Sequence, residues 1–246
     1  MASGVGAYRH FHDDLALLKQ RLLDMSERAE TLVEVSIDAL LERDSEKARS
    51  VIAADCELDL LEVESENLAI ALLALQQPMA RDLRFLVGAI KVSSDLERVG
   101  DHAVNIAESA IRLVDRRVVG PPVSAITDMA RRARVMLRDA IDAFIRGDGA
   151  LGRAVRSADD EVDRLHEDIV GTLLASMTAD ATVIAPSVEL LLVSHNLERV
   201  GDLATNIGEN AVYLAEGKQI RHRYDEVHGH RSAFGVRDVT PTARET

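Results

Sequence analysis

Aromatic residues make up only 3% of the 246-residue chain, and there is no tryptophan. A core without large rings must be filled by Leu, Ala, Val and Ile, which suits long helices packed side by side better than a sandwich or barrel. The single cysteine, Cys56, excludes an intramolecular disulfide and fits a reducing compartment. No apolar run approaches the roughly 18–20 residues that cross a bilayer; the densest, Leu68 to Leu75, is far shorter. A signal-peptide core is missing too, because His10, His12, Asp13 and Asp14 interrupt the amino-terminal segment. Basic residues are in deficit, 29 against 42 acidic, for a formal net charge of −13. That balance argues against a nucleic-acid or anionic-membrane surface. By elimination the chain is expected in the cytoplasm. What it has in quantity is apolar residues, 47% of the total, enough for a sizeable core.

An internal repeat sets the architecture. Ser93–Ala110 reads SSDLERVGDHAVNIAESA and Ser194–Ala211 reads SHNLERVGDLATNIGENA, with twelve of eighteen positions identical at an offset of 101. Earlier residues repeat at an offset of 104: Asp44 with Asp148, Asp55 with Asp159, Asp59 with Asp163. In the third helix of the first copy, Val92, Leu96, Val99, Ala103, Ile106, Ala110 and Leu113 form a heptad stripe. Val193, Leu197, Val200, Ala204, Ile207, Ala211 and Leu214 repeat it. The second helix carries Val51, Ala54, Leu58, Leu61, Ser65, Leu68, Leu72 and Leu75 on the same spacing. The first helix is expected from about Phe11 to Arg43 and the fourth from about Val123 to Arg146. Asp44 and Asp148 stand where helix N-caps are wanted. Pro78 separates helices two and three, Pro121-Pro122 separates the copies, and helix five gives way to helix six near Pro186. The expected fold is all-α: two tandem, antiparallel three-helix bundles over residues 1–118 and 119–218. Residues 219–246 lack apolar periodicity and read as a flexible tail.

The chemistry lies in carboxylates four residues apart, which share a helix face. In an antiparallel hairpin, residues equidistant from the turn lie level. Asp59 with Glu97, and Asp55 with Asp101, are both centred on Pro78. Asp163 with Glu198, and Asp159 with Asp202, are both centred between residues 180 and 181. Four carboxylates are thus expected at one level of each hairpin. Two carboxylates ~6 Å apart repel by roughly 3 kcal/mol at an effective dielectric of 20. No Lys or Arg is expected on the same face, since Arg98 and Arg199 should point about 100° away. A hard multivalent cation would relieve the conflict. The competing reading is a solvated acidic surface, since Glu97 and Asp101 fall at outer heptad positions. Gly100 and Gly201, costly by roughly 1 kcal/mol inside a helix, suggest close helix contact or room for something bound.

Other polar residues carry weaker signals. Asn105, Asn206, Glu108 and Glu209 extend the acidic stripe as outer ligands or as plain surface. Ser93 and Ser194 read as surface hydroxyls, and Cys56 as a small buried residue. His102 has Leu203 as its repeat counterpart and His195 has Ser94, so neither is a shared ligand. His222, His228 and His230 read as part of a solvated tail.

The twin segments DLERVGDHAVNIAE and NLERVGDLATNIGE resemble the signature of the PhoU family, accessory regulators of phosphate-specific transport, over about Tyr8 to Gly217. The resemblance implies two three-helix bundles and a cytoplasmic negative regulator with no enzymatic activity. It would link the ATPase subunit of a phosphate ABC transporter to a sensor histidine kinase, reaching the membrane only through these partners. It further implies metal at the E/DxxxD pairs: Asp55, Asp59, Glu97 and Asp101, then Asp159, Asp163, Glu198 and Asp202. Iron, zinc, manganese and magnesium are the candidates, and a homodimer is expected. Leu203 and Gly208 depart from the family pattern of His and Ala, which leaves a histidine ligand in doubt. Two alternatives remain. A carboxylate-bridged di-metal enzyme would want paired Glu-x-x-His motifs, and only Asp163-Arg-Leu-His166 comes close, its counterpart ending in Glu62. The other is a structural scaffold whose acids only solvate it.

Overall fold

The computed structural model describes residues 3–116, 122–218 and 220. Six long helices follow one another: α1 (Ser3–Glu42), α2 (Ser45–Gln76), α3 (Ala80–Leu113), α4 (Pro122–Arg146), α5 (Gly149–Ala179) and α6 (Ile184–Glu216). A 3₁₀ turn, Ala181–Val183, precedes α6, and there is no strand among the described residues. None of these helices is long and apolar enough to cross a membrane.

Heptad spacing explains which faces meet. In α1, Phe11, Leu15, Leu18, Leu22, Met25, Ala29 and Leu32 step by four and three, and all are buried. Both stripes of the repeated segment are buried along their whole length, on α3 and on α6. The stripe expected on α2 holds only in part. Val51, Leu58, Ser65 and Leu72 are buried, but Ala54 and Leu75 are exposed. Ile52, Leu60, Val63 and Ile70 are exposed as well, so α2 carries apolar residues all round.

Local chemistry sets the ends. Asp44 Oδ1 accepts from the amides of Glu46 and Lys47, and Asp148 Oδ1 from those of Ala150 and Leu151. These are N-caps of equal design. Just before them, Arg43 and Gly147 take left-handed backbone (φ 56° and 67°) and close α1 and α4. Two boundaries differ from the sequence reading. α1 begins at Ser3 rather than Phe11, since extending a formed helix needs no apolar stripe. Pro186 does not mark the α5–α6 break; it lies buried in the first turn of α6, where its missing N–H forfeits no helical bond. The break falls earlier, at Asp180–Val183, where the Asp180 side chain accepts from the Thr182 amide. Pro122 opens α4, whereas Pro121, the 118/119 boundary and nearly all of the expected tail lie outside the described residues.

The bundles α1–α3 and α4–α6 share one continuous apolar core. α3 packs on α6 and α1 on α4. Phe85 of α3 stacks on Phe144 of α4 with centroids 5.2 Å apart, and Gly88 makes room for that ring. Polar ties cross the same seam: His102 Nδ1–H donates to Asn196 Oδ1 (2.9 Å), Arg138 pairs with Glu30 (2.6 Å) and Arg112 with Glu189 (2.8 Å).

Candidate metal centres

Each hairpin turn brings its four carboxylates within range of one another's charge. Burial, then repulsion from Asp59 and Asp101, pushes Asp55 up to about 6. Burial, then Asp101, Glu62, Asp59 and Asp55, pushes Glu97 up to about 7. In the second bundle, burial followed by Asp163 and Asp202 pushes Asp159 up to about 7. Asp163 is raised by burial and by Asp202 and Glu198, and Asp202 is raised chiefly by burial. Thr205 beside Asp159 acts in the opposite direction, though its hydroxyl forms no well-shaped hydrogen bond.

The mid-helix glycines create this arrangement. A Cβ on Gly100 would stand 2.6 Å from Asp55 Oδ1 and 2.7 Å from Leu58 Cδ2. One on Gly201 would stand 3.0 Å from Asp159 Oδ1 and 3.3 Å from Val162 Cγ1. Each glycine therefore serves the close helix contact, admitting an apolar neighbour and a carboxylate against the helix backbone. Asp55 Oδ1 and Asp159 Oδ1 are shielded from water and have no hydrogen-bond partner. A buried acceptor left unpaired costs about 1–3 kcal/mol, and a cation would satisfy it. The oxygen donors, the repulsion and the two orphaned atoms are what a hard metal ion would need, but no three of these carboxylates place oxygens within 4.8 Å of one another, so holding one would require the side chains to close in.

The two patches are not alike. Among the described residues none of Asp55, Asp59, Glu97 and Asp101 is in an ion pair. In the second patch Arg199 donates to Asp202 Oδ2 (2.5 Å) and His195 Nδ1 lies 2.9 Å from Glu198 Oε2. The expectation that no Arg shares this face is corrected for Arg199. The backbone does point it away, but its long side chain swings forward over three residues.

Three further readings change. Ser93 and Ser194 are fully buried, not surface hydroxyls; Ser93 Oγ donates to the Ile90 carbonyl (3.0 Å), and Ser194 Oγ contacts Met129 Sδ. Cys56 is exposed rather than buried, because it sits on the outer face of α2. Glu209 is buried, while Glu108 is exposed and paired with Arg112.

The chain also builds a cluster that the repeat comparison had set aside. His166, His195 and Glu198 each place one ligand atom within 4.8 Å of the others', and no other group of three or more His, Cys, Asp or Glu does so among the described residues. The carboxylate patches are more open than this. A signal for the cluster was present, since His166 and His195 are also centred between residues 180 and 181.

A tandem pair of three-helix bundles with an acidic patch at each hairpin defines the class of protein. The PhoU domain model matches twice, at residues 22–110 and 126–211. The Zymomonas mobilis phosphate-specific transport system accessory protein PhoU homolog is 34% identical over 90% of this chain and 94% of its own length. The Caulobacter vibrioides protein of that name is 37% identical over 86% of this chain and 92% of its own length. The crystal structure of PhoU from Pseudomonas aeruginosa superposes with a TM-score of 0.81 at 31% identity, over 85% of this chain and all of the other. The Streptococcus pneumoniae phosphate transport system regulatory protein PhoU gives 0.77 at 27%, over 85% of this chain and 99% of the other. The chain belongs to the PhoU family.

Proposed function

We propose that this protein is a cytoplasmic negative regulator of phosphate uptake, an adaptor rather than an enzyme. In this reading it links the ATPase subunit of a phosphate ABC transporter to a sensor histidine kinase and keeps the phosphate-starvation response off when phosphate is plentiful. It acts as a homodimer and meets the membrane only through its partners. The observation that carries the reading is the duplicated LERVGD segment, matched to the family in both copies. Curated relatives named as accessory proteins of phosphate-specific transport support it.

Asp55, Asp59, Glu97 and Asp101 would hold metal in the first bundle, and Asp159, Asp163, Glu198 and Asp202 in the second. The bound ion would supply positive charge where the carboxylates repel. Iron, manganese and magnesium suit the all-oxygen first patch, and zinc is better matched where imidazole is available. The residues themselves set the shape of each hairpin's acidic face, and with it the surface offered to a partner. A di-metal oxidase finds less support, because several of these carboxylates are exposed and water exclusion is poor. Deleting the gene should derepress phosphate-starvation genes in phosphate-rich medium, and the tagged protein should co-purify with transporter or kinase from those cells. Unchanged expression together with neither partner recovered would refute the assignment.

A further inference from the structure

The second hairpin carries nitrogen donors where the first has none. Glu62 and Ser94 are the repeat equivalents of His166 and His195, and Glu97 is that of Glu198. His166 comes from α5, while His195 and Glu198 lie three residues apart on α6. The two imidazole rings have centroids 6.2 Å apart and are tilted by 50°. We propose that His166, His195 and Glu198 form a binding site for a borderline divalent ion of the zinc class, with nitrogen donors of its own and Glu198 shared with the second acidic patch. The site has no counterpart in the first bundle.

The hydrogen bonds around His166 suit a ligand. Ser194 Oγ lies 2.8 Å from His166 Nδ1 and 3.6 Å from Met129 Sδ. Ser194 is fully buried, so this contact fixes the ring, and in the tautomer with Nδ1 protonated Nε2 carries the free lone pair. Metal-bound histidines are oriented this way, by an acceptor for the second ring nitrogen. His195 and Glu198 stand at i,i+3 and are already in contact at 2.9 Å. Ligand atoms on a tetrahedral zinc ion with bonds of about 2.0–2.1 Å lie roughly 3.4 Å apart. The existing spread of up to 4.8 Å closes by side-chain rotation, since the His195 side chain is 58% exposed and Glu198 27%. Two imidazoles and one carboxylate select zinc, cobalt or nickel over magnesium and calcium, which prefer oxygen. Three protein ligands leave a coordination position open to water. Asp163, one turn before His166 and within range of the Glu198 charge, offers a further oxygen.

Its histidine donors set this site apart although Glu198 belongs to both groups, and the test separates it from the carboxylate patches. The full-length protein is stripped with chelator and titrated with Zn²⁺ against a chromophoric competitor, and with Co²⁺ followed by visible absorption. Wild type should take up Zn²⁺ and show the intense visible bands of low-coordinate Co²⁺ with nitrogen ligands. His195→Ala and His166→Asn should each weaken Zn²⁺ by more than about tenfold and abolish the bands. His166→Asn retains a donor for Ser194, and helicity by circular dichroism confirms folding. Asp55→Asn with Asp101→Asn, in the other bundle, should leave intact the cobalt bands and the Zn²⁺ uptake that the histidine variants lose. Unchanged Zn²⁺ affinity and cobalt spectrum in the folded His166→Asn/His195→Ala double variant would overturn this site. Loss of Mn²⁺ binding in the Asp55/Asp101 variant alone reports on the carboxylate patches instead.

Discussion

Asp159 and Asp55 sit against glycine with one oxygen each that nothing satisfies, so the metal-free protein stores repulsion at these residues. Asp55 titrates at about 6 and Glu97 and Asp159 at about 7, against roughly 4 in the unfolded chain. Between those values the folded chain binds more protons than the unfolded one. Metal-free stability should therefore fall as pH rises from about 4 to about 7, then level off. Asp159→Asn removes one such group. It should raise the melting temperature of chelator-treated protein at pH 8 by about 2–4 °C and leave it unchanged at pH 4; no gain at pH 8 would contradict the account. Gly100→Ala should cost about 1–3 kcal/mol by urea denaturation through overpacking against Asp55 and Leu58. Gly201→Ala, whose neighbours stand farther off, should cost less. That these carboxylates come within range of one another's charge was legible because helical phase and hairpin symmetry fix where a Cα lies. The reach of Arg199 was not, since a flexible side chain spans several backbone positions. Ser93 and Ser194 were misplaced because they border the core stripe, where a small rotation decides burial.

Helices α3 and α6 could be read almost residue by residue, because their apolar stripes are narrow and unbroken. α2 could not, since Ile52, Leu60, Val63, Ile70 and Leu75 spread around it and no single face stands out. Packing between elements also differs in a way periodicity does not express. A Cβ on Gly152 would stand 2.5 Å from the Gly208 carbonyl oxygen, and one on Gly208 would stand 2.9 Å from the Gly152 carbonyl oxygen. α5 and α6 thus meet backbone to backbone where the first bundle has Ala48 and Ala107. Since a carbonyl cannot swing aside as a side chain can, Gly152→Ala should destabilise by about 2 kcal/mol or more. The matching change Ala48→Gly should cost only the ~1 kcal/mol of helix propensity. Equal losses in chemical denaturation would show that the two hairpins pack alike.

At the scale of the whole molecule, the duplication and the all-helical class were legible from the repeat alone. The way the repeats dock was not, because the seam between the bundles uses single contacts such as Phe85 of α3 on Phe144 of α4 and His102 of α3 to Asn196 of α6, which follow no sequence period. One continuous core carries both acidic patches, the second with histidines beside it. Regulation should depend on these patches rather than on the bundles as inert scaffold. The most direct test is a phosphate-starvation reporter in phosphate-rich medium, in cells whose only copy carries Asp55→Asn, Glu97→Gln, Asp159→Asn and Glu198→Gln. With protein level and helicity at wild-type values, the reporter should be derepressed to the level of a deletion. Repression equal to wild type would contradict the account and leave the carboxylates as solvated surface.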